Sequence, residues 1–140
     1  MSAQDTLLNE LVNIVVKEGA SDLHLSENRS PTIRVSSFLI PLSKIAPLTR
    51  ADMEAFLSIL LTPDAKKEFE ERKEVNFAYS HKNTGQPDRF RCNAFLALGR
   101  ISIAMRLVPS EVKTFEGLNL PPILETFARR QQGFFLVVGP

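Results

Sequence analysis

The segment Arg89–Val108, which reads RFRCNAFLALGRISIAMRLV, carries the clearest strand pattern in the sequence. Apolar and polar residues alternate on both sides of Gly99, and such alternation is typical of strands with one buried face. Because few residues separate the two runs, the segment predicts a hairpin. Alternate side chains point to opposite faces of a sheet, so the apolar positions would face a core and the arginines the other side.

Further strand patterns lie upstream of this hairpin. Residues 21–26, 32–36 and 38–40 are three short strand-like runs in quick succession, and they predict an antiparallel meander. Residues 75–79 alternate in the same way. The sequence therefore predicts several antiparallel strands rather than a parallel, doubly wound sheet.

Two amphipathic helices are predicted before and after the meander. Asp5 is the expected N-cap of the first helix, and Thr49 with Asp52 forms a capping-box pattern for the second. Their apolar positions at helical spacing are Leu7, Leu8, Leu11, Ile14 and Val15 in the first and Met53, Phe56, Leu57, Leu60 and Leu61 in the second. Strands and helices together predict an α+β unit over residues 1–108.

The composition excludes several classes of protein. The chain has 140 residues with 17 Lys and Arg against 16 Asp and Glu, a formal charge of +1. So small a charge gives no general field for nucleic acid or an anionic membrane, so any phosphate site must be a local cluster. Cys92 is the only cysteine, which excludes a multi-cysteine metal site and indicates a reducing compartment. No signal peptide is recognisable, and the longest apolar run falls far short of the roughly 20 residues of a membrane span.

The residue pattern of the sequence changes after Val108. Residues 109–117 form a polar connector, and Pro121 and Pro122 would open a short helix. The run FFLVV at 134–138 is apolar without alternation, as in a strand of a parallel sheet covered on both faces. This pattern predicts that residues 118–140 begin an α/β domain that is truncated here.

Two arginines are the first candidates for a binding site. Arg91 and Arg106 have the same parity on the two strands of the hairpin, so their guanidinium groups would converge and suit a phosphate, with no obvious carboxylate between them. The alternative is a solvated sheet face. His24 would serve as a general base or, as base rates favour, as a surface histidine that is hydrogen-bonded to a neighbour. Cys92 falls on the apolar side of its strand and is expected in the core.

A second candidate is the Gly139-Pro140 pair after the apolar run. Phosphate-binding loops begin where a buried strand ends in glycine, because backbone amides must approach the phosphate closely. A Gly-Pro pair after a strand is also compatible with an ordinary turn. The lysine and hydroxyl that define such a loop would lie beyond residue 140.

At residues 20–25, ASDLHL, the sequence resembles the opening of the type IV pilus retraction ATPases, the twitching-motility members of the type II/IV secretion ATPase family. The resemblance continues at residues 89–95 (RFRCNAF), similar to the family's RFRVNAF, and then at residues 106–110 (RLVPS), similar to RxIPS, through residues 115–121 (FEGLNLP). It ends at residues 133–140, GFFLVVGP, similar to GLVLVTGP at the entry to the Walker A loop. Four motifs in the same order make the resemblance specific.

The resemblance implies a PAS-like N-terminal domain at residues 1–108, a linker at 109–117 and the first helix and strand of a RecA-like ATPase domain at 118–140. The full-length protein would be a homo-hexamer that hydrolyses ATP with Mg²⁺ to power pilus retraction. It would work in the cytoplasm at the inner-membrane face, on the platform proteins of the pilus machine, without inserting into the membrane and without nucleic acid.

The resemblance also implies site residues. Arg91 and Arg106 match arginines that reach toward the nucleotide phosphates, and Gly139 and Pro140 match the first residues of the phosphate loop. The Walker A lysine, Walker B and the acidic catalytic residues would lie beyond residue 140. The 140-residue chain is therefore expected to hold no catalytic residue, no metal site and no cofactor of its own.

The sequence departs from the family pattern at two places. Ser36-Ser37 stands where retraction ATPases usually carry Asp-Gly, and Leu96-Ala97 replaces the usual Gln-Arg. The alternatives are therefore a secretion or accessory pilus ATPase, or a free-standing PAS-like sensor with an internal ligand pocket. A nucleic-acid-binding module is disfavoured by the small charge.

Overall fold

The computed structural model describes residues 2–82 and 87–139. Two compact units make up the chain, Met1–Ser110 and Glu111–Pro140. The first contains nearly all of the regular secondary structure, and the second a single short helix. The limits predicted for the linker and for a RecA-like domain stay predictions.

A six-stranded antiparallel sheet forms the first unit, as the sequence predicts. Its strand order is β3-β2-β1-β6-β5-β4. The first three strands are the predicted meander, and the last two in sequence are the predicted hairpin. The strands are β1 (Asp22–Ser26), β2 (Thr32–Val35), β3 (Phe38–Pro41), β4 (Glu74–His81), β5 (Asp88–Ala97) and β6 (Arg100–Val108).

Three helices belong to the first unit: α1 (Ala3–Lys17), α2 (Arg50–Leu60) and α3 (Pro63–Arg72). The capping box predicted for α2 is present between Thr49 and Asp52. The N-cap predicted for α1 was wrong by one turn: Ser2 is the cap, and Asp5 supplies the carboxylate that accepts its backbone N–H at 2.7 Å. Asp5 closes the box from the third helical position, where a carboxylate also faces the positive end of the helix dipole.

The core lies between the helices and one face of the sheet. Helix α1 packs against β1, α2 against β6 and α3 against β4. Phe56 of α2 and Phe90 of β5 are among the largest fully buried side chains, and the predicted core residue Cys92 is buried as well. Each fully buried apolar side chain of this size contributes roughly 1.5–3 kcal/mol through removal from water, so this layer holds the unit together.

The hairpin between β2 and β3 turns at Ser36-Ser37, one of the two departures from the family pattern. Both serines have positive φ angles, 47° and 74°. A two-residue hairpin turn of this kind requires positive φ at both central positions, and it usually uses Asn or Gly there. The turn keeps its tight geometry with serines that adopt the left-handed region.

The second unit contains α4 (Ile123–Ala128), the predicted short helix. Phe127 of this helix stacks on Phe135 with ring centroids 5.3 Å apart. The run Phe134–Val138 forms no strand and is exposed throughout, because no neighbouring strand pairs with it in the described part of the chain. None of the described helices is both long enough and apolar enough to serve as a membrane span.

Candidate functional site

The sheet face that points away from α1 and α2 carries a row of charged side chains across four strands. In this charged row, Arg34, Asp22, Arg106 and Arg91 lie opposite one another in turn, on β2, β1, β6 and β5. Ala78 of β4 ends the row opposite Arg91. Directly opposed residues have Cβ atoms about 4.5–5.5 Å apart, so neighbours in the row are within reach of each other. The strand order therefore brings together residues that are distant in sequence.

A shallow hollow of about 330 Å³ lies along the charged row. Ala104 of β6 forms part of its floor between His24 and Asn93, its partners on the two neighbouring strands. The alanine is smaller than either neighbour, so the side-chain layer dips at that point. Three members of the charged row also border the hollow: Asp22, Arg91 and Arg106.

Arg106 is fixed at one end of its guanidinium. Its Nε donates to Oδ1 of Asp22 at 2.8 Å, while the side chain as a whole stays 71% exposed. The two terminal nitrogens of Arg106 form no hydrogen bond with the described residues. The arginine is thus held by its inner nitrogen, and its outer two remain available to an anion.

The carboxylate of Asp22 is a contact that the sequence analysis did not include. Asp22 does not lie between Arg91 and Arg106 but on the other side of Arg106, with which it pairs, and it also lies 3.5 Å from Nε of Arg34. The sequence did not show this contact because Asp22 and Arg106 are 84 residues apart and meet only through the β1–β6 pairing. The signal in the sequence that could have indicated this contact was the position of Asp22, a polar residue on the same strand face as His24 in the ASDLHL motif.

Asp22 is ionised and well supported despite its burial. Burial, the largest single influence, raises its pKa, but hydrogen bonds from Ser21 and Arg106 together hold the pKa below its ordinary value. The Ser21 hydroxyl donates to Oδ2 at 2.7 Å, so each carboxylate oxygen has its own donor. Its negative charge balances one of the three arginines in the charged row, which leaves the row positive.

Arg91 lies on the same face as Arg106, as the parity of the two strands predicts, and the strand register places it directly opposite Arg106. Its side chain is exposed, and it forms no ion pair with a described residue. Like charges directly opposite each other destabilise a sheet. An anion that binds both guanidinium groups would relieve this repulsion, so the pair is suited to a phosphate.

Asn93 and Asn76 form the β5–β4 side of the hollow. The Asn93 amide donates to Oδ1 of Asn76 at 3.1 Å and to the carboxylate of Glu74 at 3.0 Å. These amides are tied to each other, so they form a neutral wall beside the arginines.

His24 lines the hollow and its side chain forms no hydrogen bond with any residue that the structure describes, whereas a bond to a neighbour was expected. Its Nε2 atom is buried and has no partner among the described residues. Burial lowers the pKa of His24 below its usual value; the Asp22 carboxylate opposes this shift, and Arg34 and Arg106 add to it. The imidazole is therefore neutral near pH 7, and its Nε2 atom is buried rather than exposed to solvent as the reacting atom of a general base would be.

The other candidates lie elsewhere. Gly139 is in the second unit, and Pro140, the other residue predicted for a phosphate loop, lies outside the described residues. Burial raises the pKa of the Cys92 thiol to about 12, so this cysteine is unreactive. Within residues 2–82 and 87–139, no group of three or more metal-binding side chains is assembled.

Curated relatives match nearly the whole chain. The type IV pilus retraction ATPase PilT of Pseudomonas aeruginosa is 32% identical over 133 residues, which cover 95% of this chain and 38% of the relative. The type IV pilus ATPase PilU of the same organism is 28% identical over 130 residues, covering 93% of this chain and 33% of the relative. This chain is similar in sequence to the type IV pilus ATPases PilT and PilU over nearly its whole length. The resemblance predicted from the four motifs is thus confirmed.

Solved structures of ATPases share the fold of this chain. The crystal structure of the pilus retraction motor PilT with bound ADP superposes with a TM-score of 0.72 at 27% identity, over 88% of this chain and 35% of that one. The Legionella pneumophila ATPase DotB gives a TM-score of 0.75 at 20% identity, over 91% of this chain and 36% of that one, and it supports the fold alone. No protein-family model matches the sequence. The chain spans about a third of the length of these ATPases.

Proposed function

We propose that this chain is the N-terminal part of an ATPase motor that powers type IV pilus retraction. The named relatives PilT and PilU support the class of motor. In this proposal the full-length protein is a homo-hexamer in the cytoplasm at the inner-membrane face, and it acts on the platform proteins of the pilus machine. The first unit contributes packing between subunits and a pair of arginines for the nucleotide.

The arginine pair carries the proposal. Arg91 and Arg106 are directly opposed and exposed at the edge of the hollow, and the outer nitrogens of Arg106 are free of described partners. Planar guanidinium groups bind phosphate oxygens through two parallel hydrogen bonds. The related retraction motor was solved with bound ADP, which is the kind of anion the pair would suit.

The remaining parts of the nucleotide site would come from the second unit and the sequence after it. Gly139 and Pro140 would begin the loop that surrounds the phosphates with backbone N–H groups. Mg²⁺ would be held by the hydroxyl and carboxylate residues that follow this loop in P-loop ATPases. The arginines of the first unit would then stabilise the negative charge that develops on the transferred phosphate.

A secretion or accessory pilus ATPase is the second candidate. PilU is almost as similar to this chain as PilT is, and DotB shares the fold equally well. The same arginine pair would serve any of these motors. A free-standing sensor is less well supported, because the hollow lies on the sheet face rather than inside the core. A coding sequence that continues past Pro140 into a lysine-bearing glycine loop would exclude it.

The test is ATP turnover by the full-length protein with Arg106→Ala. Arginines of this kind contribute roughly 10³–10⁵ in rate in other nucleotide hydrolases, so we expect a loss of at least about 10². Arg100→Ala is the matched control: it removes the same charge from the same face of β6, about 20 Å along the strand from the hollow. We expect Arg100→Ala to hydrolyse ATP at the normal rate.

Normal hydrolysis by Arg106→Ala would contradict the proposal. The arginine pair would then be a solvated surface, and the contribution of the first unit would be assembly alone. Thermal unfolding of Arg100→Ala should match that of the wild type. Arg106→Ala leaves the largely buried Asp22 carboxylate without its Nε donor and should unfold at a somewhat lower temperature, so turnover is compared well below both transitions.

A further inference from the structure

The contact between Asp22 and Arg106 points to a further role for Asp22, the one carboxylate of the charged row. We propose that Asp22 is a positioning residue that holds the Arg106 guanidinium ready for a phosphate. The inference rests on the proposed function of Arg106, and it concerns a residue that does not itself touch the anion.

Asp22 is placed to hold the Arg106 guanidinium rather than to bind a phosphate itself. Its side chain is only 9% exposed, and each of its carboxylate oxygens receives a donor, Arg106 Nε on one and the Ser21 hydroxyl on the other. Its backbone lies in a central strand of the sheet, paired on both sides. The carboxylate is therefore a rigid anchor.

Arg106 needs such an anchor because it is long and exposed. An arginine side chain loses much of its rotamer entropy when it is fixed. A bond at Nε fixes the plane of the guanidinium while the two terminal nitrogens stay available, so part of that loss precedes the arrival of the ligand. Preorganisation of this kind increases affinity by reducing the cost of ordering on binding.

A purely electrostatic reading of Asp22 predicts the opposite effect. A carboxylate beside a phosphate site repels the phosphate, so removal of its charge would tighten binding if charge were all that mattered. Arg34, at 3.5 Å on the other side of Asp22, offsets part of this repulsion. The direction of the change on substitution therefore separates positioning from charge.

The experiment measures the Kd of a non-hydrolysable ATP analogue and of inorganic triphosphate, with ATP turnover alongside, in the full-length protein. We expect Asp22→Ala to weaken binding about two- to tenfold and Asp22→Asn to weaken it less, since the amide oxygen still accepts from Nε. Combined with Arg106→Ala, Asp22→Ala should have no further effect. Ser26→Ala is the matched control, because Ser26 lies on the same strand and face as Asp22 but bonds to Ser102 and does not border the hollow.

Two outcomes would overturn the inference while the function stands. One is unchanged or tighter binding by Asp22→Ala when Arg106→Ala alone weakens binding or turnover. The other is an equal loss from Asp22→Ala with or without Arg106, which would show that it acts through the fold. If Asp22→Ala lowers the unfolding temperature, the comparison is made instead with Asp22→Asn, alone and combined with Arg106→Ala. A loss of affinity from Asp22→Asn that disappears in the Arg106→Ala background supports positioning, and an equal loss in both backgrounds overturns it. Normal binding and turnover by Arg106→Ala alone would end both this inference and the proposed function.

Discussion

The two faces of the six-stranded sheet have different roles. The face under α1 and α2 is apolar and closed, with Phe56 and Met53 of α2 fully buried beside it. The opposite face carries three arginines and one aspartate in a single row, with like charges directly opposed. Burial explains the first arrangement. In the second, Asp22 pairs with Arg106 and Arg34, but Arg91 faces Arg106 without a carboxylate partner among the described residues, so burial and pairing do not account for the whole row.

The largest expected effect is on the closed face. Phe56→Ala removes a fully buried ring and leaves a cavity, so we expect a loss of about 3–5 kcal/mol in the free energy of unfolding. Urea unfolding measures it. Ser58→Ala, an exposed position on the same helix, should change stability by less than about 0.5 kcal/mol. Equal effects from the two substitutions would contradict the core described here.

A smaller loss is expected where the end of β1 is tied to β6. The carboxylate of Glu27 is buried and accepts the backbone N–H of Ile101 at 2.8 Å. Glu27→Ala leaves that N–H without its partner, and we expect a loss of about 1–3 kcal/mol. Glu27→Gln keeps an acceptor oxygen and should lose less. The two unfolding free energies, compared in urea, test the bond, and a greater loss in Glu27→Gln would argue against it.

The polar face should make stability depend on pH through His24. Burial lowers the pKa of this histidine in the folded state, so the unfolded chain binds more protons below its ordinary pKa of 6.5. Its contribution is therefore complete above about pH 6.5 and declines as the pH falls below that value.

Unfolding midpoints at pH 7.5 and 5.5 measure this effect, and His24→Gln should reduce the difference between them. Asp22 does not affect this comparison. Its pKa in the folded state lies below the ordinary value of 3.8, so the stability that its carboxylate contributes is lost only in more acidic solution than pH 5.5. An equal difference in the wild type and in His24→Gln would show that other groups titrate.

The smallest effect is expected for Arg91→Ala. Its side chain is exposed and directly opposite Arg106, so its removal relieves a like-charge pair. We expect the stability to stay the same or to rise by a few tenths of a kcal/mol. Thermal unfolding at low salt provides the measurement. A clear loss of stability would mean that Arg91 supports the fold, and the contrast between the two faces would weaken.

Sequence patterns predicted local features and short-range pairing better than contacts across the sheet. Alternation around Gly99 predicted the hairpin and the opposed arginines, because register follows from a tight turn. The β1–β6 pairing is not coded in any local pattern, so the Asp22–Arg106 contact and the orphaned nitrogen of His24 were missed. The run Phe134–Val138 shows the reverse case, since a strand pattern forms no strand without a partner to pair with.

The most direct test of the central claim is a structure of the full-length protein with bound ADP. The account predicts that terminal nitrogens of Arg91 and Arg106 lie within about 2.7–3.2 Å of phosphate oxygens, with Asp22 still on Nε of Arg106. Phosphates that are held entirely by other residues, with both guanidinium groups left in solvent, would contradict it.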